Sequence, residues 1–390
     1  MYLKIFSPFL MLLVFQIFSY FSYGFFTYRP SYETQLFILA NYVAAFLSVL
    51  IACVFFDQKI ENRFVSKKFI SNIILDYVFA LLALLFLLRP IIVLFGIGFT
   101  YDFEYLRINY YQDESLQILA YGSMAINALT NFYLVPLLWF YILFISNSTE
   151  KRTTIIFYFI LLMLVLFNLS YGGRFNIYFS LIVIFIRNIL LGGGVFTFIK
   201  KYILLISSLV FVSFIMMLVR TNQQVQSSLK DWFALIEYHI LPTFILSQKI
   251  DDKILQVDGF PSRVILQSIN APFLFINGGR GDSIPYIYYP KLMSDFTLYS
   301  DLTNNYYNAY STLFAYFFVD YGWFSPIFFC IFVFYIFFVS LFLSKDLRVK
   351  YLSYFAFMLY ISLFQAPIFS PGAITLLVVF PLLYFVFKKR

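Results

Sequence analysis

Residues 73–95, IILDYVFALLALLFLLRPIIVLF, form an apolar run long enough to cross a hydrocarbon layer of about 30 Å at 1.5 Å per residue. Comparable runs, each roughly 15–23 residues long and so near the length of one crossing, occupy 5–26, 35–56, 125–146, 155–170, 175–191, 202–219, 324–343, 351–364 and 373–387. In lipid a backbone must satisfy its own N–H and C=O groups, so runs of this length fold as helices. The fold expected is an all-α polytopic membrane protein with about ten transmembrane helices. A chain that is 62% hydrophobic and 12% charged, with mean hydropathy +0.85, excludes an ordinary soluble domain.

The first run has too long an apolar core for a signal peptide and no small-x-small cleavage site after it, so it is expected to stay as an anchor. Basic residues set the orientation. With the N-terminus inside, Lys59, Arg63, Lys67, Lys68, Lys151, Arg152, Lys200, Lys201, Lys345, Arg348, Lys350 and the tail Lys388, Lys389 and Arg390 all fall in inner connections. The positive-inside rule then places both termini in the cytoplasm. The net charge of +8 is therefore topological, and nucleic acid is not expected as a partner. Cys53 and Cys330 lie within apolar runs and act as small hydrophobes.

Two places break the even spacing of short loops, an outer loop at 96–123 and an outer segment at 220–323. They divide the chain into an N-terminal bundle of about seven helices (1–219), a large outer loop (220–323) and about three C-terminal helices (324–390). Within the large segment, 231–247 has the spacing of a helix lying near the interface. Residues 308–319 are too short to span alone and precede Asp320-Tyr321-Gly322, so they read as interfacial or re-entrant.

Arginines at the outer side admit two readings. Arg174, in the hairpin Tyr171-Gly172-Gly173-Arg174-Phe175, either snorkels from a glycine turn or offers a guanidinium beside bare backbone, which suits a phosphate. A second Gly-Gly-Arg ends at Arg280, and Arg220 closes the seventh run. Arg89 lies inside the outer end of the third run next to Pro90, where a charge marks a site or pathway. Arg187, near an inner end, is expected only to snorkel. His239, two residues after Glu237, is either structural or a base poised near neutrality. No metal cluster is spaced in the chain; Asp102 and Glu104 are the one acidic pair that would resemble a metal-holding motif. Tyr286, Tyr288, Tyr289, Tyr306 and Tyr307 are denser than a membrane belt needs and suit a glycan surface.

The hairpin YGGRF, the segment EYHILP from Glu237 and the stretch NNYYNAYSTLFAYFFVDYG, with Asn305 at its start and Asp320 and Gly322 at its end, resemble the Wzy-type O-antigen and oligosaccharide repeat-unit polymerase family. The resemblance implies a GT-C-like helical bundle that joins undecaprenyl-pyrophosphate-linked repeat units into surface polysaccharide on the outer face of the cytoplasmic membrane. It implies Arg89, Arg174, Arg220 and Arg280 as candidates to hold pyrophosphate, Arg174, His239 and Glu237 as candidates for catalysis, and no cofactor or metal. Membrane lipids, a flippase and a chain-length regulator are the partners it implies. An O-antigen ligase shares these features, a lipid-linked oligosaccharide flippase is the non-enzyme reading, and Asp102 and Glu104 would suit a metal-dependent glycosyltransferase.

Overall fold

The computed structural model describes residues 1–21, 26–57, 73–101, 103, 105–106, 110, 113–171, 175–221, 228–255, 298–300, 305–307, 312–364 and 367–388. The chain is an all-α polytopic membrane protein, with seven helical stretches among the described residues long and apolar enough to cross a membrane. It divides into two compact units, Arg63–Ser227 on one side and Met1–Asn62 with Ser228–Arg390 on the other.

In the central unit, α3 (Ile73–Thr100), α5 (Met124–Phe144), α6 (Lys151–Ser170), α7 (Phe175–Leu190) and α8 (Val195–Thr221) run up and down, and the short α4 (Glu114–Tyr121) precedes α5. Asp76 fixes one end of the unit. Its buried carboxylate accepts from Tyr141 Oη and from Thr153 Oγ1 (3.2 Å) and lies 3.6 Å from Arg152 Nε, so its charge is balanced where α3, α5 and α6 meet. At the other end Val165, Leu169 and Ile177 bury themselves against Phe95, Leu209 and Val212.

Arg187 does not snorkel. It is 3% exposed, donates to the carbonyls of Ser146 and Ser148 (3.0 Å each) and to Thr154 Oγ1 (2.9 Å), and lies 4.5 Å from the centre of the Phe157 ring. The chain leaving α5 exposes carbonyls that no helix turn satisfies, and a cation at a helix C-terminus answers both the missing donors and the dipole.

In the terminal unit, α1 (Tyr2–Phe21) and α2 (Tyr32–Asp57) pack with α9 (Ser228–Asp251), α10 (Leu313–Tyr321), α11 (Ser325–Ser340), α12 (Lys345–Ser362) and a last helix, α13. That helix comprises Pro371–Ile374, a π turn Thr375–Val379 and Phe380–Lys388. A small antiparallel hairpin pairs β1 (Leu298–Ser300) with β2 (Asn305–Tyr307) in the register Leu298 to Tyr307.

Helix α10 folds back on α11 as a hairpin. The chain reverses at Gly322 (φ 56°), so the rings of Tyr321 and Phe328 stack at 3.9 Å and Phe317 meets both Phe329 (5.4 Å) and Phe332 (5.8 Å) of α11. A continuous helix would hold Phe317 and Phe332 roughly 22 Å apart.

Prolines inside these helices leave carbonyls without donors, and side chains supply them. Ser7 Oγ donates to Lys4 O (2.8 Å), the carbonyl that Pro8 orphans, and Tyr351 Oη donates to Leu377 O, the one that Pro381 orphans. Pro136 follows the π turn Thr130–Leu134 of α5, where the helix widens instead.

Candidate functional site

Arg89 lies farther from the end of its helix than the sequence implied, because α3 continues unbroken through Pro90 and past residue 95 to Thr100. Eleven residues from that end is roughly 16 Å at 1.5 Å per residue. The neighbouring helices meet it there. Asp113 caps α4, its Oδ1 accepting from Ser115 N (2.8 Å) and Ser115 Oγ (2.6 Å), and these bonds hold the carboxyl below its ordinary value. α4 ends at Gly122 (φ 87°), whose N–H returns to Ile118 O (2.6 Å). Ser123 then caps α5, with Oγ accepting from Ile126 N (3.2 Å).

Gly122 and Ser123 thus join the C-terminus of one helix to the N-terminus of another. Arg89 reaches that junction. Its Nη2 lies 3.4 Å from Leu119 O, and its Nη1 occupies a point 2.8 Å from where a Cβ on Gly122 would stand. Arg89 is exposed, so its remaining donors are open to a ligand beside the positive end of α5.

Beside the junction lies a cluster of phenols and carboxamides that sequence reasoning missed. Tyr110 and Tyr121 share a hydrogen bond (2.8 Å), Asn131 Nδ2 donates to Tyr121 Oη (3.1 Å) and Asn127 Oδ1 (2.6 Å), and Asn127 Nδ2 donates to Gln117 Oε1 (2.6 Å). Gln117 Nε2 closes the circuit on Tyr110 O (2.9 Å). The Tyr110 ring stacks on Tyr171 (4.9 Å, 3°), the residue that opens YGGRF, and Asn168 Nδ2 holds the Tyr171 hydroxyl (2.5 Å). Burial, then the neighbouring Tyr121, pushes the Tyr110 hydroxyl well above its ordinary range, and burial pushes Tyr121 up to about 12. Both remain donors at any physiological pH. The available signal was the i, i+4 pairs Gln117/Tyr121 and Asn127/Asn131, polar groups recurring on one helical face.

In the terminal unit, Glu237 is fully buried and His239 half-buried on α9. Two residues apart on a helix, they point to different sides, so the pair does not converge. The His239 ring lies edge-on between Phe15 (6.5 Å) and Phe364 (5.3 Å). Its carbonyl, in the turn that Pro242 opens, accepts from Gln16 Nε2 (2.7 Å). Gln16 Oε1 in turn accepts from Tyr42 Oη (3.0 Å), which meets Thr243 Oγ1 (2.5 Å), and Tyr20 Oη meets Ser247 Oγ (2.9 Å).

From residue 240 on, the stretch 231–247 is packed inside the terminal unit. Its Thr243 and Ser247 are buried against α1 and α2, because their hydroxyls find partners there instead of water.

Asp320 is buried on α10, and Gly322 makes the turn after it. Asn305, Tyr306 and Tyr307 form β2. Arg220 lies at the last turn of α8. Arg174, Arg280, Tyr286, Tyr288, Tyr289, Asp102 and Glu104 lie outside the described residues. Among the described residues no group of three or more His, Cys, Asp or Glu is placed to hold a metal. Comparison with family models, curated proteins and solved structures returns no match to this chain.

Proposed function

We propose that the protein extends lipid-linked glycans, transferring a growing chain from undecaprenyl pyrophosphate to the terminal sugar of a second lipid-linked repeat unit. The observation that carries this reading is Arg89, exposed at the helix junction beside Gly122, where a guanidinium and the positive end of α5 both favour an anion. With both termini in the cytoplasm, this junction faces the outer side.

The acceptor hydroxyl attacks the anomeric carbon of the donor, the bond to the pyrophosphate oxygen breaks, and lipid pyrophosphate departs. Negative charge grows on the leaving group, and fixed cationic donors stabilise that growth without reorganising. Arg89 is the described candidate for this role, with Arg174, Arg220 and Arg280 as further cations. His239 and Glu237, which the resemblance offers for the hydroxyl proton, belong to the terminal unit, where Glu237 is sealed and the His239 ring lies between Phe15 and Phe364.

Reconstitution of purified protein with a lipid-linked repeat unit tests the reading directly. Extension to longer chains supports it, and no extension by a folded protein rejects it. In cells, Arg174→Ala is expected to abolish long chains while single repeat units still reach the surface. Deleting the gene separates polymerase from ligase, since loss of the ladder with one repeat retained means the former and loss of all attached glycan the latter.

A further inference from the structure

We infer that the carboxamide and tyrosine cluster of Gln117, Asn127, Asn131, Tyr110 and Tyr121 is a sugar subsite, taking the neutral sugar joined to the phosphate held at Arg89. The inference rests on the reading of Arg89 as a phosphate ligand. Its own support is the chemistry and placement of the cluster.

The bonds that knit these side chains together join carboxamides, phenols and a backbone carbonyl, with no ionised group in the circuit. Such a set neither attracts nor repels charge. It matches a ligand whose groups each donate and accept, which is the property of a sugar hydroxyl. Tyr110 and Tyr121 stay protonated and keep that dual character.

The circuit also leaves valence unused. A carboxamide has two N–H donors and an oxygen with two lone pairs. Among the described residues, Gln117 Nε2 donates only to Tyr110 O, Asn127 Nδ2 only to Gln117 Oε1, and Asn131 Oδ1 accepts nothing. All three residues are half-buried, so these groups are not sealed in the interior. One set of bonds fixes the cluster and a second set is presented. The Tyr110 ring face is already stacked on Tyr171, so its contribution is the hydroxyl and not a stacking platform.

Placement supplies the rest. Tyr121 directly precedes Gly122, the residue against which the Arg89 guanidinium lies. A phosphate ester at Arg89 therefore carries its sugar alongside the cluster. Asn131 belongs to the π turn that Pro136 follows, a widened turn of the sort found at ligand sites.

The test measures binding to the full-length protein in nanodiscs of two lipids, undecaprenyl pyrophosphate and the undecaprenyl-pyrophosphate-linked repeat unit extracted from cells lacking this gene. Asn131→Ala is expected to weaken the repeat-unit lipid about tenfold, the loss of one or two hydrogen bonds, and to leave the sugar-free lipid within about twofold. Asn127→Ser, at a second carboxamide of the cluster, is expected to act in the same direction, and thermal midpoints of both variants guard against a folding defect. Arg89→Ala is expected to weaken both lipids. Equal effects of Asn131→Ala and Asn127→Ser on the two lipids, or no effect on either, overturn the subsite while leaving the role of Arg89 standing. Failure of the unaltered protein to bind either lipid overturns the phosphate reading and the subsite with it.

Discussion

Arg89 lies against Gly122, one guanidinium nitrogen 2.8 Å from the point a Cβ would occupy. Gly122→Ala therefore displaces the arginine without removing its charge. The backbone at φ 87° adds strain of about 1–2 kcal/mol for a residue with a Cβ. The expected outcome is a modest fall in thermal stability together with loss of chain extension comparable to that of Arg89→Ala, read in the reconstituted assay. Extension at the unaltered rate, with only stability reduced, would show that the position of the guanidinium is not used.

Arg187 holds the carbonyls of Ser146 and Ser148 and packs over Phe157. Arg187→Ala leaves two carbonyls without their donor, at about 1–3 kcal/mol for each buried group. Arg187→Lys keeps the charge but not the fork that reaches both carbonyls and Thr154, so it is expected to recover only part of the loss. Unfolding in detergent, followed by heat or by denaturant, measures both variants. Equal stability of the alanine variant and the parent would remove Arg187 from the packing of this end.

The spans were legible in the sequence because lipid leaves a backbone no alternative to helix. Where they end was less so. Gly96 and Gly98 suggest a stop after Phe95, yet α3 continues, and Gly98 serves instead to admit the Phe103 ring, which would stand 2.6 Å from a Cβ there. Charges were harder still. Arg187 and Arg89 look alike in sequence, each one basic residue in an apolar run, and what separates them is the set of carbonyls that the fold brings to each. The partners of Gln16 and Asp251 come from other elements, 223 residues away for Gln16 and His239, so no local pattern announces them. A break at Gly322 was legible, since a run too short to span is followed there by Asp-Tyr-Gly, but the sequence left open how the short helix packs.

Gly322 combines φ 56° with ψ −134°, a conformation that a side chain does not tolerate. The reversal it permits brings Phe314, Phe317 and Tyr321 onto α11. Gly322→Ala is expected to cost about 1–3 kcal/mol. Because the strain is local to the hairpin, protease accessibility around residues 312–324 should rise before the rest of the protein unfolds. A variant as stable and as protected as the parent would mean that α10 docks without the turn.

Asp251 gathers four donors, Tyr28 Oη, Ser31 N (2.8 Å), Ser31 Oγ (2.7 Å) and Thr34 Oγ1 (2.6 Å), and so ties the end of α9 to the start of α2. Partial burial acts to raise its pKa, but the hydrogen bonds from Thr34, Tyr28 and Ser31 outweigh it and the net shift is downward. A carboxyl whose folded value lies below its unfolded value of about 3.9 stabilises the fold in full above that pH. The contribution disappears as pH falls through the lower, folded value. The unaltered protein should therefore lose stability between about pH 4 and the folded pKa, and Asp251→Asn should be less stable at neutral pH and show a flatter acid limb. Thermal midpoints recorded from pH 7 down to pH 3 test this. Parallel curves for the two proteins would mean that the charge on Asp251 contributes nothing to the joint between α9 and α2.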